Sequence, residues 1–383
     1  LDGVRGLAIL LVLIFHFSQL GYTPHPVGLR AALQKLVAAG WAGVDLFFVL
    51  SGFLITSILI EAKGSSGFFK NFYMRRVLRI FPLYYGVLTL AAILGIVFYD
   101  RLPQAYRNVF AYQGCLWAYL QNFTNIDWMG FTHFWSLAVE EHFYMVWPAI
   151  VFLLNRRAAM GVCIALIATA IAIRTGRVMT GQDAESTYLW TFCRMDALAL
   201  GSLLGLAVQG SSEGLVRFRT VAMVGFVAAA AACAALFVYY GSFAYVQRGI
   251  QMFGYTIVGI GAASLLVLAV TASRASPLGV AFNAAPLRFL GKYSYGIYVF
   301  HGFVVVGLRE IIPMWKLMPK VGGSFLAAIA VHLTLGVAIS IAAALLSWHL
   351  YEKQFLKLKR FFEYRAPTLE GFKPNEPVVQ TGG

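Results

Sequence analysis

The chain has 383 residues, of which 60% are apolar and 12% charged, with a mean hydropathy of +0.74. Soluble domains carry about 45–50% apolar and about 25% charged residues, so this chain lacks the charge to cover a water-facing surface and has the composition of an integral membrane protein, which excludes a disordered chain, a collagen-like repeat and a disulfide scaffold. The net charge of +14 is assigned to membrane topology, because nucleic-acid binding needs a basic face on a soluble fold, and the four cysteines stand at neither metal nor redox spacing.

A bilayer core of about 30 Å needs roughly 20 apolar residues per helix. Ten segments meet that requirement, at about 6–22, 42–60, 80–99, 134–154, 158–173, 188–208, 219–240, 250–273, 288–308 and 323–349. They predict an all-α integral membrane protein, a bundle of about ten transmembrane helices. The stretch 109–123, VFAYQGCLWAYLQNF, is shorter and more polar, and is expected as a re-entrant or partial helix covered by protein. Ahead of the third span, residues 66–80 put Phe68, Phe69, Phe72 and Tyr73 against Lys70, Arg75, Arg76 and Arg79, which predicts an interfacial basic helix.

Loop charge sets the orientation. If 109–123 does not cross, 18 of the 30 Lys and Arg residues fall on the cytoplasmic side and both termini are cytoplasmic; Arg174 and Arg177 then belong to an outside loop. Residues 1–360 read as one transmembrane domain and 361–383 as a cytoplasmic, disordered tail rich in Pro and Gly. Asp2 and Arg5 run directly into the first span, without the cleavage site of a signal peptide. No internal repeat and no inverted pair of broken helices stands out, which disfavours a secondary transporter.

An ionisable side chain inside a span costs about 2.5–3.5 kcal/mol on insertion scales, so each is a candidate site. Arg5 and His16 are eleven residues apart on the first span, which places them on one helix face about 16 Å apart. A buried neutral imidazole can serve as general base or nucleophile; the competing reading is a packed histidine. Glu140 and Glu141 are adjacent and point about 100° apart; one suits the tautomer of His16 or a substrate hydroxyl, the other an arginine, and mutual neutralisation in helix packing competes with both. Arg194 and Asp196, at i,i+2, each need a partner elsewhere, as a structural ion pair or as a substrate contact. His301 is a further candidate, and His332 reads as packing. Arg75, Arg76 and Arg79 stand at i,i+3 and i,i+4 spacing, so their guanidinium groups can converge on a phosphate, with anionic lipid headgroups as the alternative ligand.

The segments LDGVRGLAILLVLIFH (1–16), GVDLFFVLSGFLIT (43–56), FYMRRVLRIFPLY (72–84), HFWSLAVEEHFYMVWP (133–148), FCRMDALALGSLLG (192–205), YSYGIYVFH (293–301) and SWHLYEKQF (347–355) together resemble the acyltransferase-3 family of membrane O-acyltransferases, in order and over nearly the whole chain. The resemblance implies transfer of an acyl group, most often acetyl, from cytoplasmic acyl-CoA to a hydroxyl of a surface or secreted carbohydrate or glycolipid at a bacterial-type inner membrane. Acyl-CoA is then a donor substrate, with no permanently bound cofactor and no metal. It assigns Arg5 and His16 to the family's Arg–His motif, with His16 catalytic. Arg76 and Arg79, preceded by Arg75, match its Arg-x-x-Arg motif for acyl-CoA, and Glu140 matches the acidic residue that follows Trp135. His142 departs from the family pattern, which has Gln there. Some relatives carry an additional hydrolase-like domain outside the membrane; this chain is expected to act alone or with a separate extracytoplasmic partner protein. Two mechanisms stay open, His16 as base or His16 as acyl carrier. The rival function is a transporter or flippase of an anionic or glycan solute, with Arg194, Asp196 and Glu140 along its path.

Overall fold

Backbone polar groups at membrane depth must be satisfied within the chain, and helices do this segment by segment. In the computed structural model of the chain, which describes residues 1–19, 28–208 and 212–364, the described residues contain no strand. Ten helices of 16 residues or more occur among them. They are α1 (Asp2–Gln19), α2 (Ala42–Ala62), α3 (Phe68–Val97), α4 (Trp135–Leu153), α5 (Arg156–Met179), α6 (Thr191–Val208), α7 (Arg219–Tyr240), α8 (Tyr255–Val270), α9 (Ala285–Ile311) and α10 (Phe325–Ser347). Each falls on one of the ten expected segments. By length and composition seven helical stretches among the described residues can cross a membrane, and an eighth if α9 and the bent piece after it count as one. The two long helices outside that set, α1 and α4, carry Asp2, Arg5 and His16, and Glu140, Glu141 and His142. The protein is an all-α integral membrane bundle.

Close backbone approach organises its centre. A Cβ on Gly6 of α1 would lie 1.9 Å from the Leu287 carbonyl oxygen, and one on Gly291 of α9 1.8 Å from that of Asp2. Gly52 of α2 and Gly201 of α6 meet the facing backbones of Leu198 and Val49 in the same way, at 2.1 and 2.0 Å. Small residues permit such contact where helices cannot rely on water to drive them together. The pairs α1–α9 and α2–α6 form the middle of the bundle, whereas α7 buries only Ala222 and Ala229 along its length.

Three expectations change here. The basic segment 66–80 is not a separate interfacial helix: it is the first half of α3, which runs on through Pro82. Proline gives up one backbone hydrogen bond there without ending the helix, as membrane helices tolerate. Arg174 and Arg177 do not lie in an outside loop, because α5 extends to Met179 and Arg174 is fully buried against α6. The last expected segment continues past Ser347 through a π-helical turn, Trp348–Glu352.

The stretch 109–123 is broken into Gln104–Tyr112, Gly114–Trp117 and a 3-10 turn, Gln121–Phe123. Tyr84 and Tyr85 of α3 donate to the Leu116 and Trp117 carbonyls at 2.7 and 3.1 Å, while Gln121 and Asn122 donate to the Phe134 and Trp135 carbonyls at 3.0 and 2.9 Å. Protein groups thus cover the irregular backbone, and the segment is a partial element. The tail expected to be disordered lies, from residue 365 on, outside the described residues.

Candidate active site

Five helices, α1, α2, α3, α4 and α9, enclose a cavity of about 120 Å³. Arg5, Arg76 and Arg79 bring positive charge to it, Glu140 and Glu141 negative charge, and Ser51, Tyr144 and Tyr298 hydroxyl groups. Its basic groups come from the start of α1 and the first half of α3, so the i,i+3 spacing of Arg76 and Arg79 puts both on the lining face. Arg5 also holds Asp2 at 2.8 Å, with both side chains partly exposed. Arg75 does not join them. Its guanidinium donates to the Phe362 carbonyl at 3.3 Å and stands 6.0 Å from the Tyr364 ring. The convergence of three arginines in one cavity, allowed by the spacing, is corrected to Arg5, Arg76 and Arg79, with Arg75 turned to the C-terminal segment.

Glu140 and Glu141 line the same cavity despite their angular separation. Ser51 and Tyr144, hydrogen-bonded to each other, stand beside Glu140, and one Glu141 carboxylate oxygen is buried without a hydrogen bond. Neither glutamate sets the tautomer of His16, which is held within its own helix.

His16 lines a second, larger cavity of about 600 Å³. Its Nδ1 lies 2.9 Å from the Val12 carbonyl oxygen. A carbonyl can only accept, so Nδ1 carries the proton and Nε2 keeps a free lone pair. The His301 ring packs edge-on at 4.8 Å and His133 continues the row at 4.7 Å from His301. His301 and His133 bond to the carbonyls of Tyr298 and Val299 at 2.5 and 3.0 Å, and the second nitrogen of His301 is buried without a partner. Trp41, Trp135, Tyr188 and Tyr245 form the aromatic wall of this cavity, and Thr132 and Glu185 add polar groups.

Arg194 and Asp196 find separate partners. Arg194 grips both carboxylate oxygens of Asp45 at 2.9 Å, inside a box of the Trp41, Phe48, Trp135, Tyr188 and Tyr255 rings at 4.3–6.0 Å. Asp196 pairs with Arg174 at 2.9 Å and accepts from Thr256 at 2.5 Å. These are buried structural ion pairs behind the aromatic wall. His332 donates to or accepts from no charged group and meets the Ile312 carbonyl at 2.7 Å, as a packed histidine would.

Asp45, His133 and Tyr298 are not singled out by the sequence, and Arg174 stands there only as a loop charge. Asp45 carried the signal of an acid within an apolar run, GVDLFFVL; Tyr298 carried none, since an intramembrane tyrosine is unremarkable until its neighbours are known. Of the two cavities, only Val44 and Tyr298 belong to both linings, so the walls meet there.

A family described as an acyltransferase domain matches residues 1–349. The chain is 27% identical over 375 residues to a putative peptidoglycan O-acetyltransferase, YrhL, of Bacillus subtilis, an alignment that covers 92% of this chain and 54% of that protein. It is 27% identical over 358 residues to the peptidoglycan O-acetyltransferase OatA of Listeria monocytogenes, covering 86% and 53%, and 27% identical over 330 residues to the O-acetyltransferase OatA of Staphylococcus aureus, covering 80% and 50%. The chain thus spans about half the length of the curated relatives it matches. No solved structure matches it. With the match running over nearly all of the ten-helix bundle, from Arg5 and His16 to the end of α10, the chain belongs to the acyltransferase family.

Proposed function

We propose that the chain is a membrane O-acetyltransferase that moves an acetyl group from cytoplasmic acyl-CoA to a carbohydrate hydroxyl presented from the other side of the membrane. The observation that carries this reading is the pair of abutting cavities, one lined by Arg5, Arg76 and Arg79 and the other by His16 and an aromatic wall. Arginine suits phosphate through paired charge-assisted bonds, so the first cavity and its rim would seat the donor's phosphates and pantetheine arm, with the first half of α3 on the cytoplasmic side. Tryptophan and tyrosine faces suit sugar rings, and the second cavity has room for a saccharide unit. The relatives named for peptidoglycan support an acceptor of that glycan class.

The chemistry follows from the tautomer. Nε2 of His16 takes the proton of the acceptor hydroxyl as its oxygen attacks the thioester carbonyl carbon. The new C–O bond forms, the C–S bond breaks, and the departing CoA thiolate takes the proton from His16. Acylation of His16 itself remains the competing route; it differs in leaving an acyl-imidazole when acceptor is withheld. Glu140, beside Ser51 and Tyr144 in the donor cavity, is assigned to holding the donor rather than the base. Transfer onto a separate extracytoplasmic protein is compatible with the same geometry, since the histidine cavity would receive either acceptor. The transporter reading loses Arg194 and Asp196, both of which are committed to buried ion pairs.

The test is release of CoA from labelled acetyl-CoA by the purified protein, with label appearing in a peptidoglycan digest. Solute movement in liposomes without any consumption of acetyl-CoA would refute the proposal.

A further inference from the structure

We infer that Val44 and Tyr298 form a fixed aperture through which the acyl group passes, and that the size of the Val44 side chain sets which acyl chains are transferred. The inference rests on the acyltransferase reading above and adds the selectivity of that same site. It starts from one fact of geometry. Val44 and Tyr298 alone, among the described residues, line both cavities, so the cavities share a wall at these two residues, and the inferred path of the acyl group from the arginine side to the His16 side runs past them.

The aperture is rigid on both sides. Tyr298 donates to the His133 carbonyl at 2.9 Å and its hydroxyl meets Ser136 Oγ at 2.6 Å. Its ring is flanked by His301 and His133, with centroids at 5.1 and 5.6 Å. Val44 is held through its two neighbours in sequence. Gly43 lies so close to α1 that a Cβ there would fall 2.5 Å from the Ala8 carbonyl oxygen. Asp45 is gripped at both carboxylate oxygens by Arg194 at 2.9 Å. The backbone of α2 at this point can neither withdraw nor rotate without breaking one of those contacts. What remains adjustable is the volume of the residue 44 side chain, and packed surroundings transmit a change of even one methylene.

The experiment compares acetyl-CoA, propionyl-CoA and butyryl-CoA as donors for the full chain in detergent, with a tetrasaccharide of N-acetylglucosamine as the acceptor probe and CoA thiol release as the readout. Wild type should prefer acetyl. V44A should raise the propionyl-to-acetyl ratio of kcat/KM by about tenfold or more, the scale on which one methylene is discriminated in a closed pocket. V44F should lower the propionyl-to-acetyl ratio of kcat/KM by a similar factor. The ratio does not depend on the folded fraction, so a partly unstable variant still reports. If V44A and V44F alter all three donors equally, or alter binding alone, the aperture is refuted and the acyltransferase reading stands. If wild type releases CoA from none of the three donors although it binds them, the acyltransferase reading itself falls and takes the aperture with it.

Discussion

Replacing Asp45 by Asn leaves Arg194 charged in a site where both side chains of the pair are almost wholly inaccessible, 0% and 1% exposed. The contact from Arg194 Nη2 to both carboxylate oxygens at 2.9 Å is the interaction that offsets the cost of burying the guanidinium. The five surrounding rings act on Arg194 whether or not Asp45 is ionised, so they do not replace it. Breaking a buried pair from one side costs about 3–5 kcal/mol, whereas replacing both members by apolar residues of similar size is often neutral or stabilising. The expected outcome is therefore a loss of about 3–5 kcal/mol for D45N and recovery of most of it in the double variant D45L/R194M. Denaturant titration in mixed micelles measures both. A D45N protein within about 1 kcal/mol of wild type, the scale of an exposed pair, would mean that water reaches the pair and would refute the reasoning from burial.

His16→Ala should lower acetyl transfer by about 10²–10⁴, the usual contribution of a general base, with unfolding free energy close to that of wild type; transfer at the wild-type rate would remove His16 from the chemistry. Arg76→Ala should weaken acetyl-CoA binding by roughly tenfold to a hundredfold, as loss of a charge-assisted hydrogen bond does, whereas Arg75→Ala, whose side chain faces Phe362 and Tyr364, should leave the Kd nearly unchanged. Calorimetry on both variants checks the contrast, and equal losses would return Arg75 to the cavity. Gly6→Val should prevent α1 from seating on α9, because its Cβ would fall 1.9 Å from the Leu287 carbonyl; yield of monodisperse protein is the readout, and normal yield would show that the helices can separate at little cost.

Helix positions were legible in the sequence because a bilayer demands long apolar runs, and each of the ten segments became a long helix. The division of 66–99 into two helices failed for the same reason that it was attractive: charge on one face suggested an interface, yet Arg76 and Arg79 face a cavity inside the bundle and Arg75 meets the C-terminal segment. Arg5, His16, Arg76, Arg79 and Glu140 were visible as ionisable groups out of place. Their sorting into two cavities was not visible, since it depends on which helices touch. The packing glycines in LDGVRG and the role of Val44 depend on the same long-range contacts, and no local pattern distinguishes Val44 from the other valines of the chain. Asp45 in GVDLFFVL is as much an acid in an apolar run as Asp196 in CRMDALALG, so the same criterion reaches both.

The two buried ion pairs, Arg174–Asp196 and Arg194–Asp45, also determine how the bundle responds to an electric field. A lone charge displaced across a membrane exchanges about 2.3 kcal/mol per 100 mV. Each pair sums to zero charge over a contact of 2.9 Å, so the transmembrane voltage exerts almost no net pull on either pair. The contacts behind the aromatic wall should therefore be insensitive to whether the cell is energised or depolarised, which leaves the arginines near the ends of α5, Arg156, Arg157 and Arg177, as the charges of that helix that feel the field.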